Sequence, residues 1–360
     1  MAMILVNNPG SWDHVYAPLR HATWNGCTPT DMIFPFFLFI VGVSIHFAYR
    51  EKKSAGLTRA TLIKITRRTI IIFLLGLLLA WFTLPLGRMV DLDRLATLRI
   101  PGVLQRISIV FFFSSILYLT SSWITQLRLG ALLLLAYYLL MVLVPVPGVG
   151  PANLDPGTNL AAWSDRLLLD GHLWSQSKTW DPEGVLSTLP AIGTGIVGML
   201  TGQLMDRVEN TSERVSWMFF FGMVLIAGGL LWDLAFPINK SLWTSSYVLY
   251  TGGWAMQALA ASHWIIDIRG YQSWTKPFLY FGMNAIFAFV ASGLIAKVLL
   301  RTRWVTETGT EESLWNFVYQ RAYASWLEPP IASVAFALTL VGIFGVILGW
   351  MFHRKWFIKV

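Results

Sequence analysis

Residues 7–31 crowd two histidines, two aspartates, three asparagines and two tryptophans against the start of a long apolar run. The segment reads Asn7-Asn8-Pro9-Gly10-Ser11-Trp12-Asp13-His14, and further on His21-Ala22-Thr23-Trp24-Asn25-Gly26-Cys27-Thr28-Pro29-Thr30-Asp31. An imidazole titrates at about pH 6.5, so His21 is suited to take a proton at neutral pH as a general base. Asp31 is placed to orient that histidine or to hold an attacking group. A plainer reading gives Thr28, Thr30 and Asp31 to helix capping, where a side-chain oxygen accepts from free N–H groups. It makes His21 an interfacial side chain. His14 and His21 share a Pro-containing loop with no third ligand at a recognised spacing, so no metal is expected.

Other polar groups sit where an apolar chain tolerates them poorly. Gln105 and Arg106 fall inside an apolar run, within Arg99-Ile100-Pro101-Gly102-Val103-Leu104-Gln105-Arg106-Ile107. An arginine inside a membrane span is costly and usually faces the bundle interior or a wet cavity. Arg106 is therefore a candidate for holding a phosphate; a buried ion pair with a loop acid explains it equally well. Asp181-Pro182-Glu183-Gly184 directly precedes another run, where capping alone could account for the acids. Asn284, in Phe281-Gly282-Met283-Asn284-Ala285, must find a partner in a helix contact or a ligand. Asn239 to Ser246 reads as a tight turn, and His263 with Asp267 as ordinary packing and solvation. Cys27 is the one cysteine, which rules out an intrachain disulfide. No Gly-rich phosphate loop, kinase set or Gly-x-Ser-x-Gly elbow is present.

The elements that must position these groups are membrane helices. The 360 residues are 55% hydrophobic and 13% charged, against about 25% charged in a soluble domain. Eighteen tryptophans suit rings anchored at membrane interfaces. A spanning helix needs about 20 mostly apolar residues. Nine runs qualify, at 31–49, 68–86, 101–121, 129–147, 185–205, 215–236, 244–266, 277–298 and 329–352. The expected fold is all-α: a polytopic transmembrane bundle of nine full spans in a single domain, 1–360. Met1–Val6 reads as the tail of a further span whose first half is missing.

The net charge of +8 lies in short loops between runs, which points to orientation in the membrane and not to nucleic acid. Seven basic residues follow the first full run, from Arg50 to Arg68. That loop is expected inside, which leaves the long polar segments 7–30 and 148–184 outside.

At these residues the sequence resembles the heparan-α-glucosaminide N-acetyltransferase family and its bacterial relatives. The resemblance rests on Val6-Asn7, on His21-Ala-x-Trp24-Asn25-Gly26-x-Thr28-x-x-Asp31, on Phe34-Pro35 and on Ile40-x-Gly42-x-Ser44-Ile45. It continues through Leu98–Arg106, Asp181–Gly184 and Gly282–Ala285, in family order along nearly the whole chain. It implies transfer of acetyl from acetyl-CoA, as co-substrate and without metal, to the amino group of a glucosamine. The family's functional histidine falls on His21 and its functional asparagine on Asn7. By position the catalytic group adds Asp31, and the binding group is Trp24, Asn25, Arg99, Gln105, Arg106, Asp181, Glu183 and Asn284. Two departures stand out. The segment Ser-Leu-Asp-x-x-Arg-Gly that opens the relatives' first span is absent, and so is the luminal domain of the animal enzymes. The expected acceptor is accordingly a mono- or oligosaccharide, the expected membrane the bacterial plasma membrane, and a homodimer one expected assembly.

Two rival readings remain. An amino-sugar transporter would place polar groups near the bilayer midplane and carry internal repeats, and no repeat is visible. An acyltransferase with another donor or acceptor fits the same motifs.

Overall fold

The computed structural model describes residues 1–82, 92–306 and 309–358. The end of the 68–86 run and Arg88 lie outside them. Thirteen α-helices occur among the described residues. These are α1 (Ala2–Asn7), α2 (Ile33–Tyr49), α3 (Arg59–Trp81), α4 (Val103–Thr120), α5 (Trp123–Leu143), α6 (Leu160–Leu169), α7 (Thr188–Arg207), α8 (Thr211–Asp233), α9 (Ser245–His263), α10 (Lys276–Met283), α11 (Ala285–Arg301), α12 (Leu314–Tyr319) and α13 (Pro329–His353). A short antiparallel hairpin pairs β1 (Arg303–Val305) with β2 (Glu311–Ser313), with Arg303 opposite Ser313. The hairpin qualifies the all-α expectation only in a polar connection, where water can satisfy open strand edges.

Five helices are long and apolar enough to cross a membrane: Pro29–Lys52, Val103–Thr120, Trp123–Leu143, Thr211–Asp233 and Pro329–His353. The pair α10 and α11, bent by 81° at Asn284, makes a sixth if it is one span. By length and composition the nine expected spans thus become five or six. Helices also stand at the other three positions, and their composition explains the difference. The first half of α3 carries Arg59, Lys64, Arg67 and Arg68. Helices α7 and α9 are rich in Gly, Ser and Thr and mostly buried inside the bundle, where small residues let helices approach closely. Leu132, Phe220, Leu231 and Val346 are exposed, the pattern of helices that face lipid.

Helix α2 crosses α7 at glycines. A Cβ on Gly42 would overlap the carbonyl oxygen of Gly195, and one on Gly198 that of Phe39. Around this crossing the main core joins Phe34 and Leu38 of α2, Ile107 and Val110 of α4, Ile196 and Met199 of α7, and Tyr247 and Val248 of α9. The crossing fixes α2, and with it Asp31 just before its first turn.

Candidate active site

Three connections meet at the N-terminal end of α2. Segment 8–30 is tied to the turn between α8 and α9: Gly26 N–H donates to Ile238 O at 2.7 Å, and Asn239 Nδ2 to Asn25 Oδ1 at 3.1 Å. Gly26 has φ +105°, a backbone that side chains rarely adopt. The same segment reaches the 148–184 connection: Trp24 Nε1 donates to Leu154 O at 3.0 Å, and its ring meets Trp180 edge-on at 5.2 Å. The two long polar loops therefore share one end of the bundle.

At that end His21 Nδ1 lies 2.6 Å from Asp31 Oδ1. The carboxylate is 1% exposed, while the imidazole is 47% exposed. Asp31 Oδ2 accepts from the N–H groups of Ala22 and Thr28, both at 3.0 Å, with the Thr28 hydroxyl 2.9 Å away. Its backbone carbonyl accepts from Tyr247 Oη at 2.5 Å. Asp31 thus does both things read from the sequence: it caps the helix start through Thr28 and holds His21.

Lys240 completes the cluster from the α8–α9 turn. Its Nζ is 3.0 Å from His21 Nδ1, 3.3 Å from Nε2 and 3.6 Å from Asp31 Oδ1. Burial pushes the Lys240 amine down, against the opposing charges of Asp31 and Glu183. The Cys27 thiol is pushed up to about 12 by burial, reinforced by the Asp31 charge, so it stays a thiol at neutral pH.

A second cluster adjoins the first. Arg99 binds Asp181 with two parallel contacts, Nε to Oδ2 at 2.8 Å and Nη2 to Oδ1 at 2.6 Å, and Glu183 Oε2 at 2.5 Å. The two carboxylates hold its guanidinium charged above the usual arginine range, outweighing burial. Asp165, on α6, accepts from Asp181 N–H at 3.1 Å and Val185 N–H at 2.9 Å. Burial still pushes its carboxyl up to about 6. Gly184 packs so closely on this carboxylate that a Cβ there would overlap it.

Arg106 lies beneath, 1% exposed. Its Nη2 donates to Gly184 O at 3.1 Å and Ser187 Oγ at 2.5 Å, and its guanidinium stands 5.0 Å from the Trp243 ring. Among the described residues its Nε and Nη1 have no hydrogen-bond partner. The loop acids are thus taken by Arg99, and the buried arginine keeps unused donors.

The remaining predicted residues lie apart or serve the frame. Asn7 is exposed at the end of α1, which packs on α13, and no hydrogen bond of the His21 centre reaches it among the described residues. Neighbouring Asn8 is buried and donates to Ile4 O at 2.8 Å. Gln105 wedges its amide against Gly76 of α3 and Gly102. Asn284 pins the C-terminal segment, donating to Trp356 O at 3.1 Å and accepting from Ile358 N–H at 2.9 Å. A hollow of about 170 Å³ between α1, α2, α4 and the α10–α11 bend is lined by apolar side chains such as Phe37, Leu104 and Phe289, and by none of the candidate residues.

Sequence reading passed over Lys240, Asp165, Ser187 and Trp243. One signal was available for Lys240: it is the single cation in an Asn-, Ser- and Thr-rich turn expected on the same side as His21.

No protein-family model matches the chain. It is similar to heparan-alpha-glucosaminide N-acetyltransferase from Homo sapiens, 29% identical over 342 residues that cover 80% of this chain and 50% of that protein. The protein of the same name from Mus musculus is 29% identical over 344 residues, again 80% and 50%. The chain spans about half the length of the curated relatives it matches. The apolar helical bundle is thus similar, over 80% of its length, to proteins named heparan-alpha-glucosaminide N-acetyltransferase.

Proposed function

We propose that this integral membrane protein moves acetyl from acetyl-CoA to the amino group of a glucosamine-type sugar, with His21 as the base. The observation that carries the reading is the 2.6 Å contact between His21 Nδ1 and the buried Asp31 carboxylate, in a chain similar to proteins named for this activity. A carboxylate at Nδ1 favours the tautomer with its proton there and leaves the Nε2 lone pair for chemistry. A sugar ammonium must lose a proton before its nitrogen can attack a thioester carbonyl. A positioned base contributes about 10²–10⁴-fold to such a step. The same Nε2 would be the attacking atom if His21 instead carried the acetyl group.

The unpartnered N–H groups of Arg106 support it, and not Arg99, as the holder of a CoA phosphate. Asn7 takes its functional role from the resemblance alone, and its exposed place at the end of α1 gives it no hydrogen bond with the His21 centre among the described residues. We place the chain in a bacterial plasma membrane with segments 7–30 and 148–184 outside.

The test uses purified protein in lipid nanodiscs with labelled acetyl-CoA and glucosamine. Labelled N-acetylglucosamine is the expected product, and its formation should collapse in His21→Ala. The 81° break at Asn284 favours the rival transporter reading, because discontinuous helices build transport sites. Glucosamine uptake into proteoliposomes without any acetylated product would establish that rival and sink the enzyme.

A further inference from the structure

We propose that Lys240 is a third functional member of the His21–Asp31 centre, supplying the positive charge that stabilises the acetyl carbonyl oxygen during transfer. This rests on the reading of His21 as the base. The turn that carries Lys240 is closely hydrogen-bonded. Asn239 N–H donates to Thr244 Oγ1 at 3.0 Å, and Asn239 Oδ1 accepts from Leu242 N–H at 2.9 Å. Tyr137 Oη donates to Leu242 O at 2.6 Å. Trp243, 1% exposed, holds φ 52°, a left-handed backbone that a bulky residue adopts only when its surroundings impose it. These contacts present the Lys240 stem at one place.

The position of the ammonium decides between a structural and a chemical role. A lysine serving only to neutralise Asp31 would sit on the carboxylate. Here Nζ is closer to both imidazole nitrogens, at 3.0 and 3.3 Å, than to Asp31 Oδ1, at 3.6 Å. At nearly equal distance from both ring nitrogens, the ammonium stands over the imidazole and not on the lone pair of either, so Nδ1 keeps Asp31 as its partner and Nε2 stays open beside the Lys240 charge. The neighbouring acids Asp181 and Glu183 already have Arg99 as their cation. The side chain is 21% exposed beside an imidazole that is 47% exposed, so the group is held by the fold yet open where His21 is open.

An acceptor amine on Nε2 then stands next to the Lys240 ammonium, which is placed within a few ångströms of the reacting carbonyl. The amine nitrogen forms its bond to the carbonyl carbon, its proton passes to His21 Nε2, and the carbonyl π pair moves onto oxygen beside the ammonium. Collapse breaks the carbon–sulfur bond, and the departing CoA thiolate takes the proton back from His21. No oxidant or further reactant is needed. Removing one preorganised donor of this type costs about 10²–10³-fold in turnover.

The experiment measures acetyl transfer to glucosamine by nanodisc-embedded wild type, Lys240→Met and Lys240→Arg, each verified as folded by gel filtration and melting. Lys240→Met should lose about 10²-fold in kcat with the acetyl-CoA KM within about threefold, and Lys240→Arg should recover at least about tenfold of that loss. A Lys240→Met turnover within about threefold of wild type overturns the assignment, as does an arginine that recovers nothing. If Lys240→Met does not fold, Lys240→Gln replaces it in the same comparison, under the same criteria. An active wild type with indifferent variants removes Lys240 alone. A wild type inert toward acetyl-CoA and amine removes the acetyltransferase reading itself.

Discussion

Two histidine–aspartate pairs stand at opposite ends of α2, and their burial is inverted. At the N-terminal end Asp31 is buried at 1% and His21 is 47% exposed. Toward the C-terminal end the His46 side chain is 6% exposed and its partner Asp206 39%. His46 Nδ1 is 2.9 Å from Tyr118 Oη and its Nε2 3.2 Å from Asp206 Oδ2, while Arg50 holds the same carboxylate at 2.9 Å. Both ring nitrogens of His46 thus face protein groups, under the α2–α7 crossing. At His21 the carboxylate is the fixed, saturated part and the ring is the accessible part. A base needs that second arrangement, because the substrate must reach the ring and the orienting acid must not move.

The sharpest way to break this comparison is to remove each ring. His21→Ala should lower kcat by at least about 10²-fold and leave the acetyl-CoA KM nearly unchanged. His46→Ala should lower the melting temperature while each folded molecule keeps its turnover within about threefold. Equal kinetic losses from the two variants would erase the distinction between a working and a structural histidine.

A parallel contrast separates the arginines. Arg99→Ala leaves Asp181 and Glu183 without their cation, and a broken buried pair costs about 3–5 kcal/mol. It should appear as a lower melting temperature, and an unshifted melt would make the triad ornamental.

Asp165 tests the same cluster through pH. Its folded carboxyl is raised to about 6, above its unfolded value, so the folded state holds the proton more tightly. Stability from this group is present at low pH and is lost as pH rises from about 4 to about 6, by at most about 3 kcal/mol. Melting curves across that range should show the decline in wild type and a flatter profile in Asp165→Asn. Arg106→Ala should give the smallest effect, an acetyl-CoA KM raised about tenfold with less change in turnover. A normal KM would return Arg106 to purely structural duty under Trp243.

Much of the architecture was legible because lipid imposes one rule on the whole chain. Backbone groups in hydrocarbon must pair internally, so long apolar runs become helices. Helices stand where all nine runs were read, although α7 and α9 are set apart by their small residues, which face protein. The His21–Asp31 pair was legible too, since a loop and a helix start ten residues apart can meet without long-range information. Asn284 was legible as a polar group in need of a partner, but not which one. Its ties to Trp356 and Ile358 depend on where the chain returns after α13.

Composition and local spacing by themselves determined that this is a helical membrane chain, that its polar groups gather at helix ends, and that His21 and Asp31 are neighbours. Tertiary structure alone decided which charges are spent. Arg99 closes on acids some 80 positions away, Arg106 keeps donors unpartnered among the described residues, and Lys240 arrives at His21 across 219 positions. Sequence spacing carries no record of such meetings. They follow from the glycine-mediated crossing of α2 and α7 and the left-handed turn at Trp243, which set where the helix ends lie relative to one another.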